Sequence, residues 1–104
     1  MYYTYMLRCR DNSIYTGITT DVERRMNEHF TQRSKCAKYT KNHTPLRLEA
    51  VWQSSDRAAA SRLEYYLKKL SHEQKEDVIK SGSLSVLEGK LADSEYKLIK
   101  ILNT

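Results

Sequence analysis

The sequence predicts an α+β fold, a small three-stranded antiparallel sheet flanked by helices in the order β-β-α-β-α-α-α. Three observations predict it. Residues 2–9 (YYTYMLRC) and 13–19 (SIYTGIT) are aromatic and β-branched runs separated by turn residues. Residues 46–53 (LRLEAVWQ) alternate apolar and polar side chains. Helix-start signatures recur at 20–23, 54–56 and 71–74. Three strands cannot bury an apolar face by themselves, so the helices must pack on the sheet.

Taken in order, the first two runs form an N-terminal hairpin, because Arg10-Asp11-Asn12 between them tolerates positive φ. Thr20-Asp21-Val22-Glu23 is a T-x-x-E capping box, so a helix should run from there to about Thr31. Across 31–47, Arg33, Lys35, Lys38, Lys41 and Arg47 are interrupted by no acid, and Gln32, Ser34, Asn42, Thr44 and Pro45 mark a basic loop. The third strand, 46–53, should aim Leu46, Leu48, Ala50 and Trp52 at one face. Ser54-Ser55-Asp56 then caps RAAASRLEYYLKKL, the clearest helix, and Ser71-His72-Glu73-Gln74 starts another that ends before Ser81-Gly82-Ser83. A last helix is expected at roughly 92–102, docking through Leu98, Ile99, Ile101 and Leu102.

A chain of 104 residues has room for one modest core. It divides into a core unit at 1–80 and a C-terminal helical extension at 81–104 packing on the same domain. Eighteen Lys and Arg against thirteen Asp and Glu give a formal charge of +5, which favours an anionic partner. Cys9 and Cys36 fit no metal-binding spacing and read as reduced thiols. The N-terminus lacks a basic and an apolar leader region, and no apolar run approaches the ~20 residues that span a bilayer. A cytoplasmic protein without a membrane segment is expected. With three glycines in all, a glycine-rich phosphate loop is excluded, and disulfide, haem and Ser-His-Asp chemistries find no support.

On a helical wheel at about 100° per residue, Val22, Met26 and Phe30 define the buried stripe of the first helix, with Arg25 and His29 along one border. Taken alone, that pattern describes a snorkelling arginine and a half-buried histidine. On the helix 56–70, Ala59, Leu63, Tyr66, Leu67 and Leu70 form the packed stripe, and Glu64 falls at its edge beside Ala60 rather than among Lys68 and Lys69. A carboxylate there needs a partner, an arginine or a metal ion. Tyr3, Tyr5 and Tyr15 are further candidates, although tyrosine is simply a good strand residue. Gly17, two residues after Tyr15, marks a place where backbone approaches something closely.

The order of these features resembles the GIY-YIG nuclease superfamily over residues 2 to about 70. Tyr3-Thr4-Tyr5 stands where the family has Gly-Ile-Tyr, and Tyr15-Thr16-Gly17 where it has Tyr-Ile-Gly. The capped helix with Arg25 and His29 and the later Glu64 follow in family order. The segments YMLRC, SIYTGIT and AKYT are similar to those of short, stand-alone bacterial members of the UPF0213 kind. The resemblance implies a metal-dependent endonuclease cutting phosphodiester bonds in DNA, DNA being favoured over RNA, with repair or recombination as its setting. It implies that Glu64 ligates one Mg²⁺ or Mn²⁺, that Arg25 binds the scissile phosphate, and that Tyr5 and Tyr15 orient the attacking water. Either tyrosine is open as general base, with Tyr15 favoured. His29 takes a polar site position, and Lys35, Lys38 and Lys41 hold the nucleic-acid backbone.

Two residues of a hairpin share a face only when their cross-strand parity matches. A two-residue loop at Asp11-Asn12 would put Tyr5 and Tyr15 on opposite faces, so a shared site requires a three-residue loop, expected at 11–13, or a bulge near Gly17. The alternatives are a non-catalytic nucleic-acid-binding module, indifferent to Glu64 and to metal, and a protein-interaction adaptor using the 83–104 tail. About 25 residues beyond the core helices are too few for a targeting domain. Low sequence specificity, a targeting protein or a preferred DNA structure, and a monomer or weak dimer are therefore expected.

Overall fold

The computed structural model of the protein describes residues 1–31, 43–92 and 95–101, the last two of these through their backbone. Strand β1 (Tyr2–Cys9) pairs antiparallel with β2 (Ile14–Thr19), with Tyr5 opposite Gly17 and Leu7 opposite Tyr15. The Cys9 amide donates to the Ser13 carbonyl at 2.9 Å, the Asn12 amide donates to the Cys9 carbonyl at 2.9 Å, and Asn12 takes φ 71°. This closes a three-residue loop, Arg10–Asn12, ending in the left-handed position that asparagine tolerates. The loop lies one residue earlier than expected but has the odd count required, so Tyr5 and Tyr15 share a face.

Strand β3 (Pro45–Ser54) pairs with the other side of β1, and β4 (Lys97–Ile101) pairs with β3, giving the antiparallel order β2-β1-β3-β4. The sheet thus has four strands rather than three: within the span 92–102 where a helix is expected, Lys97–Ile101 form a strand, and Leu102 lies outside the described residues. Leu98, Ile99 and Ile101 suit a pleated surface as well as a helix, and the open edge of β3 supplies backbone partners that decide between them. A short 3₁₀ turn, Ser85–Leu87, lies on the path towards β4.

β3 also corrects the expected alternation. Met6 faces Ala50 while Leu7 faces Leu48, so Glu49 is the extra residue of a bulge. The bulge sends Leu48 to one face with Tyr5, Leu7 and Val51, and Ala50 and Trp52 to the other, while Leu46 is exposed.

Helix α1 (Val22–Thr31) covers the Tyr5 face, laying Val22 and Met26 against Leu7, Leu48 and Val51. Its cap is Asp21 rather than Thr20: the Asp21 carboxylate accepts from the Arg24 amide at 3.0 Å, and Thr19 Oγ1 accepts from the Asp21 amide at 3.1 Å. Helices α2 (Arg57–Lys68) and α3 (His72–Ser81) cover the opposite face, where Leu63, Leu67, Val78 and Ile79 pack on Met6, Ala50 and Trp52. Asp56 caps α2 by accepting from the Ala59 amide at 2.8 Å. The Ser71/Gln74 capping box forms as expected, and Gly82 at φ 72° ends α3 in the left-handed conformation.

A buried charge network pins the far end of this second face. Arg8 donates from Nη2 to Glu49 at 3.1 Å and Glu76 at 2.5 Å, and from Nη1 to the Asn12 side chain at 2.9 Å. Glu49, 2% exposed, also accepts from Arg47 Nε at 2.8 Å. The bulge is what brings Glu49 round to Arg8, so β1, β3, α3 and the hairpin turn are joined at one guanidinium.

Candidate functional site

The site begins at the crossing of Tyr5 and Gly17. A Cβ on Gly17 would lie 2.6 Å from Tyr5 Oη and 2.9 Å from Tyr15 Cε2, so only glycine leaves room for the Tyr5 ring to lie across β2. The Tyr5 and Tyr15 ring centroids are 6.1 Å apart, tilted by 50°. His29 completes the group from α1: its ring lies 5.7 Å from that of Tyr5 and 5.5 Å from that of Tyr15, nearly edge-on to both. The Tyr5 hydroxyl and His29 Nε2 share a hydrogen bond of 2.7 Å.

This corrects the expected stripe of α1. Phe30 is 43% exposed, whereas His29 is fully buried. The buried face therefore runs through Val22, Met26 and His29, with Arg25 half-buried beside them. The imidazole tolerates full burial because the Tyr5 hydroxyl satisfies it and two aromatic rings enclose it.

The electrostatics follow from that enclosure. Burial, reinforced by the nearby Arg25 charge, pulls His29 down to about 4, so it is neutral at pH 7. Burial and then the neighbouring Tyr15 push the Tyr5 phenol above its ordinary value, while Arg25, hydrogen-bonding alongside, pulls it back. Arg25 Nη1 donates to Glu28 at 2.8 Å, one turn along the helix. A neutral imidazole against a protonated phenol, with a guanidinium beside them, is a compact set of proton-holding and anion-binding groups.

Glu64 comes from the opposite side of the sheet. Its carboxylate is half-buried and lies 3.4 Å from Lys68 Nζ, contrary to the expectation that it stands apart from the lysines. An i,i+4 ion pair of this kind is visible in the sequence spacing itself. Lys68 Nζ is also 5.9 Å from the Tyr15 ring centroid, which links Glu64 to the tyrosine group around the β2 edge. Among the described residues no three His, Cys, Asp or Glu side chains converge as a metal cage. A single accessible carboxylate nevertheless fits a hard cation such as Mg²⁺ that keeps most of its ligands as water. Lys35, Lys38 and Lys41, expected to hold nucleic acid, lie outside the described residues. The Arg8, Glu49 and Glu76 network was not read from the sequence; an arginine and a glutamate inside otherwise apolar strands were the available signal.

No helix among the described residues is long and apolar enough to cross a membrane. Residues 1–77 match the family described as the GIY-YIG catalytic domain. The chain is 45% identical over 78 residues to the UPF0213 protein BH0048 of Halalkalibacterium halodurans, covering 75% of this chain and 81% of that one. It is 44% identical over 78 residues to the UPF0213 protein YhbQ of Salmonella typhimurium, covering 75% and 76% respectively. A solution NMR structure of the UPF0213 protein BH0048 from Bacillus halodurans superposes with a TM-score of 0.50 at 40% identity, over 88% of this chain and 98% of that one. The family match spans residues 1–77, most of the chain, so this protein belongs to the GIY-YIG nuclease family, in its UPF0213 branch.

Proposed function

We propose that the protein is a metal-dependent endonuclease that hydrolyses phosphodiester bonds in DNA. The observation that carries this reading is the convergence of Tyr5, Tyr15, Arg25 and His29 on one side of a glycine-floored hairpin, with Glu64 linked to it through Lys68. In this reading Glu64 holds one Mg²⁺ or Mn²⁺, which when bound supplies Lewis-acid stabilisation of charge on the phosphate. Arg25 binds the scissile phosphate, exchanging part of its pairing with Glu28 for phosphate oxygens.

The two tyrosines take different tasks. Tyr5 is fully buried, its phenol is pushed up, and its hydroxyl is committed to neutral His29. It is suited to orienting its neighbours rather than to taking a proton. Tyr15 is only half-buried and lies on the side of Lys68 and Glu64, which favours it as the group that faces the attacking water and, once ionised to the phenolate, accepts its proton. Selection of the cut falls to DNA structure or to a targeting partner, and a monomer with one site nicks a single strand.

The test is cleavage of supercoiled, single-stranded and branched DNA with Mg²⁺ or Mn²⁺, wild type beside Glu64→Ala. Cutting that depends on metal and disappears in the variant, while DNA binding persists, is expected. Failure of both proteins to cut, with equal salt-sensitive binding, would replace the enzyme with a nucleic-acid-binding module.

A further inference from the structure

Helix α2 carries chemistry on the side that adjoins Glu64. Taking Glu64 as zero at about 100° per residue, Lys68 follows at about 40°, Tyr65 at about 100° and Lys69 at about 140°. Glu64 is the only acid of α2, so this quarter of the helix surface is cationic and aromatic. Lys69 Nζ sits 4.6 Å from the Tyr65 ring centroid, and Tyr66 meets the same ring edge-on at 5.1 Å. Lys90 Nζ in turn lies 5.7 Å from the Tyr66 ring. Although braced on these sides, Tyr65 remains 53% exposed.

A cation–π pair within one helix stabilises that helix by a fraction of a kcal/mol and would account for Lys69 over Tyr65. It does not account for a large ring held open to water, nor for the continuity of the strip with the candidate site. Lys68 provides that continuity, since the same ammonium lies 3.4 Å from Glu64 and 5.9 Å from the Tyr15 ring. An exposed aromatic ring with one ammonium over it, on a strip that also carries Lys68, can stack one base and hold the phosphates beside it. A base inside a duplex already has both faces stacked, so the ring can engage only an unpaired one.

We propose that Tyr65, Lys68 and Lys69 form a binding subsite for an unpaired nucleotide of single-stranded nucleic acid, adjoining the position of the scissile phosphate. As a location beside a cut this rests on the nuclease reading above; as a binding site it stands without it. The test uses the whole chain in chelator, so that nothing is cleaved, with labelled oligothymidylate and oligouridylate of about 15 nucleotides and a duplex of equal length. Tyr65→Ala should weaken binding of the single strands about five- to tenfold and leave the duplex unchanged. Lys69→Gln should lower the salt dependence by about one released counterion. Tyr65→Trp should keep the affinity, and its fluorescence should be quenched on binding, whereas Trp52, 1% exposed in the core, should not respond in the wild type. Preference for oligothymidylate or for oligouridylate identifies DNA or RNA as the ligand. Single-strand binding that is indifferent to Tyr65→Ala, or a Tyr65→Trp variant that binds without quenching, would overturn the subsite. Wild type that binds only duplex, or nothing, would overturn it as well. If the subsite behaves as expected but no variant or wild type cuts DNA with metal, the nuclease reading fails and the subsite stands.

Discussion

Adding one methyl group at Gly17 tests whether the Tyr5 ring is as confined as the geometry requires. In Gly17→Ala the new Cβ would stand 2.6 Å from Tyr5 Oη, 2.8 Å from Tyr5 Cζ and 2.9 Å from Tyr15 Cε2, well inside the ~3.5–4.0 Å of an ordinary carbon contact. Backbone strain is not the obstacle, because the positive-φ glycines are Gly82 and Gly89. Alanine at an unstrained position would otherwise stabilise by ~0.4–1 kcal/mol through the unfolded state. The Tyr5 ring cannot swing aside cheaply: it is fully buried, and its hydroxyl is held at 2.7 Å by His29. Overpacking of a filled core costs ~1–3 kcal/mol, and loss of the Tyr5–His29 bond adds ~1 kcal/mol. The net expectation is a loss of ~2–3 kcal/mol, which lowers Tm by roughly 8–20 °C in a domain of this size. Urea unfolding followed by circular dichroism measures it directly. Tyr5→Phe removes the atom in the shortest contact, so Gly17→Ala should cost ~1 kcal/mol less in that background than in the wild type. Strict additivity of the two substitutions, or a Gly17→Ala protein as stable as wild type, would refute the confinement.

Two further outcomes follow from buried charge. His29 sits at about 4 in the fold against an ordinary 6.5. The unfolded chain therefore takes up a proton below pH 6.5 that the fold refuses, and stability falls as pH drops from 6.5 towards 4, by ~3 kcal/mol in all. Urea midpoints between pH 7 and 4.5 should show this slope in the wild type and lose it in His29→Gln; an unchanged slope would mean that other groups carry it. In the Arg8 network, Glu49→Ala leaves a guanidinium only 6% exposed with Glu76 as its remaining carboxylate. It should cost ~3 kcal/mol, and pairing it with Arg8→Met should recover much of that loss. A Glu49→Ala variant as stable as the wild type would show that Glu76 alone satisfies the Arg8 guanidinium.

The hairpin, α2 and α3 were legible because their signals are local. Turn residues at Arg10–Asn12, the Asp56 cap and the Ser71/Gln74 capping box each act within four residues of chain. β4 was not legible, because KLIKI satisfies a helix and a strand equally and the decision is made by the backbone of β3, 44 to 51 residues earlier. The face assignment of β3 failed for a related reason. Its alternation is regular in sequence, but the bulge at Glu49 inserts one residue and reverses every assignment beyond it. What holds the bulge in place is Arg8, a partner on another strand that no window of β3 contains.

The site shows the same division between local and long-range information, with a physical twist. Parity alone required an odd loop or a bulge if Tyr5 and Tyr15 were to cooperate, and the three-residue turn supplies the first of these. The wheel for α1, by contrast, ranked Phe30 above His29 for burial, as transfer free energies demand. The fold reverses that order because Tyr5 offers a hydrogen bond at 2.7 Å and because Gly17 lets the Tyr5 ring lie where His29 can reach it. Leaving a phenylalanine exposed opposes stability, and burying the imidazole is tolerated only because it pairs with the Tyr5 hydroxyl, which a leucine at 29 would leave unsatisfied. A departure from the hydrophobic pattern at the position where tyrosine, arginine and histidine converge is what the proposed catalytic role would require. The departure at His29, invisible on the wheel and plain in the structure, is thus a stronger pointer to the site than any residue that sits where its hydrophobicity would put it.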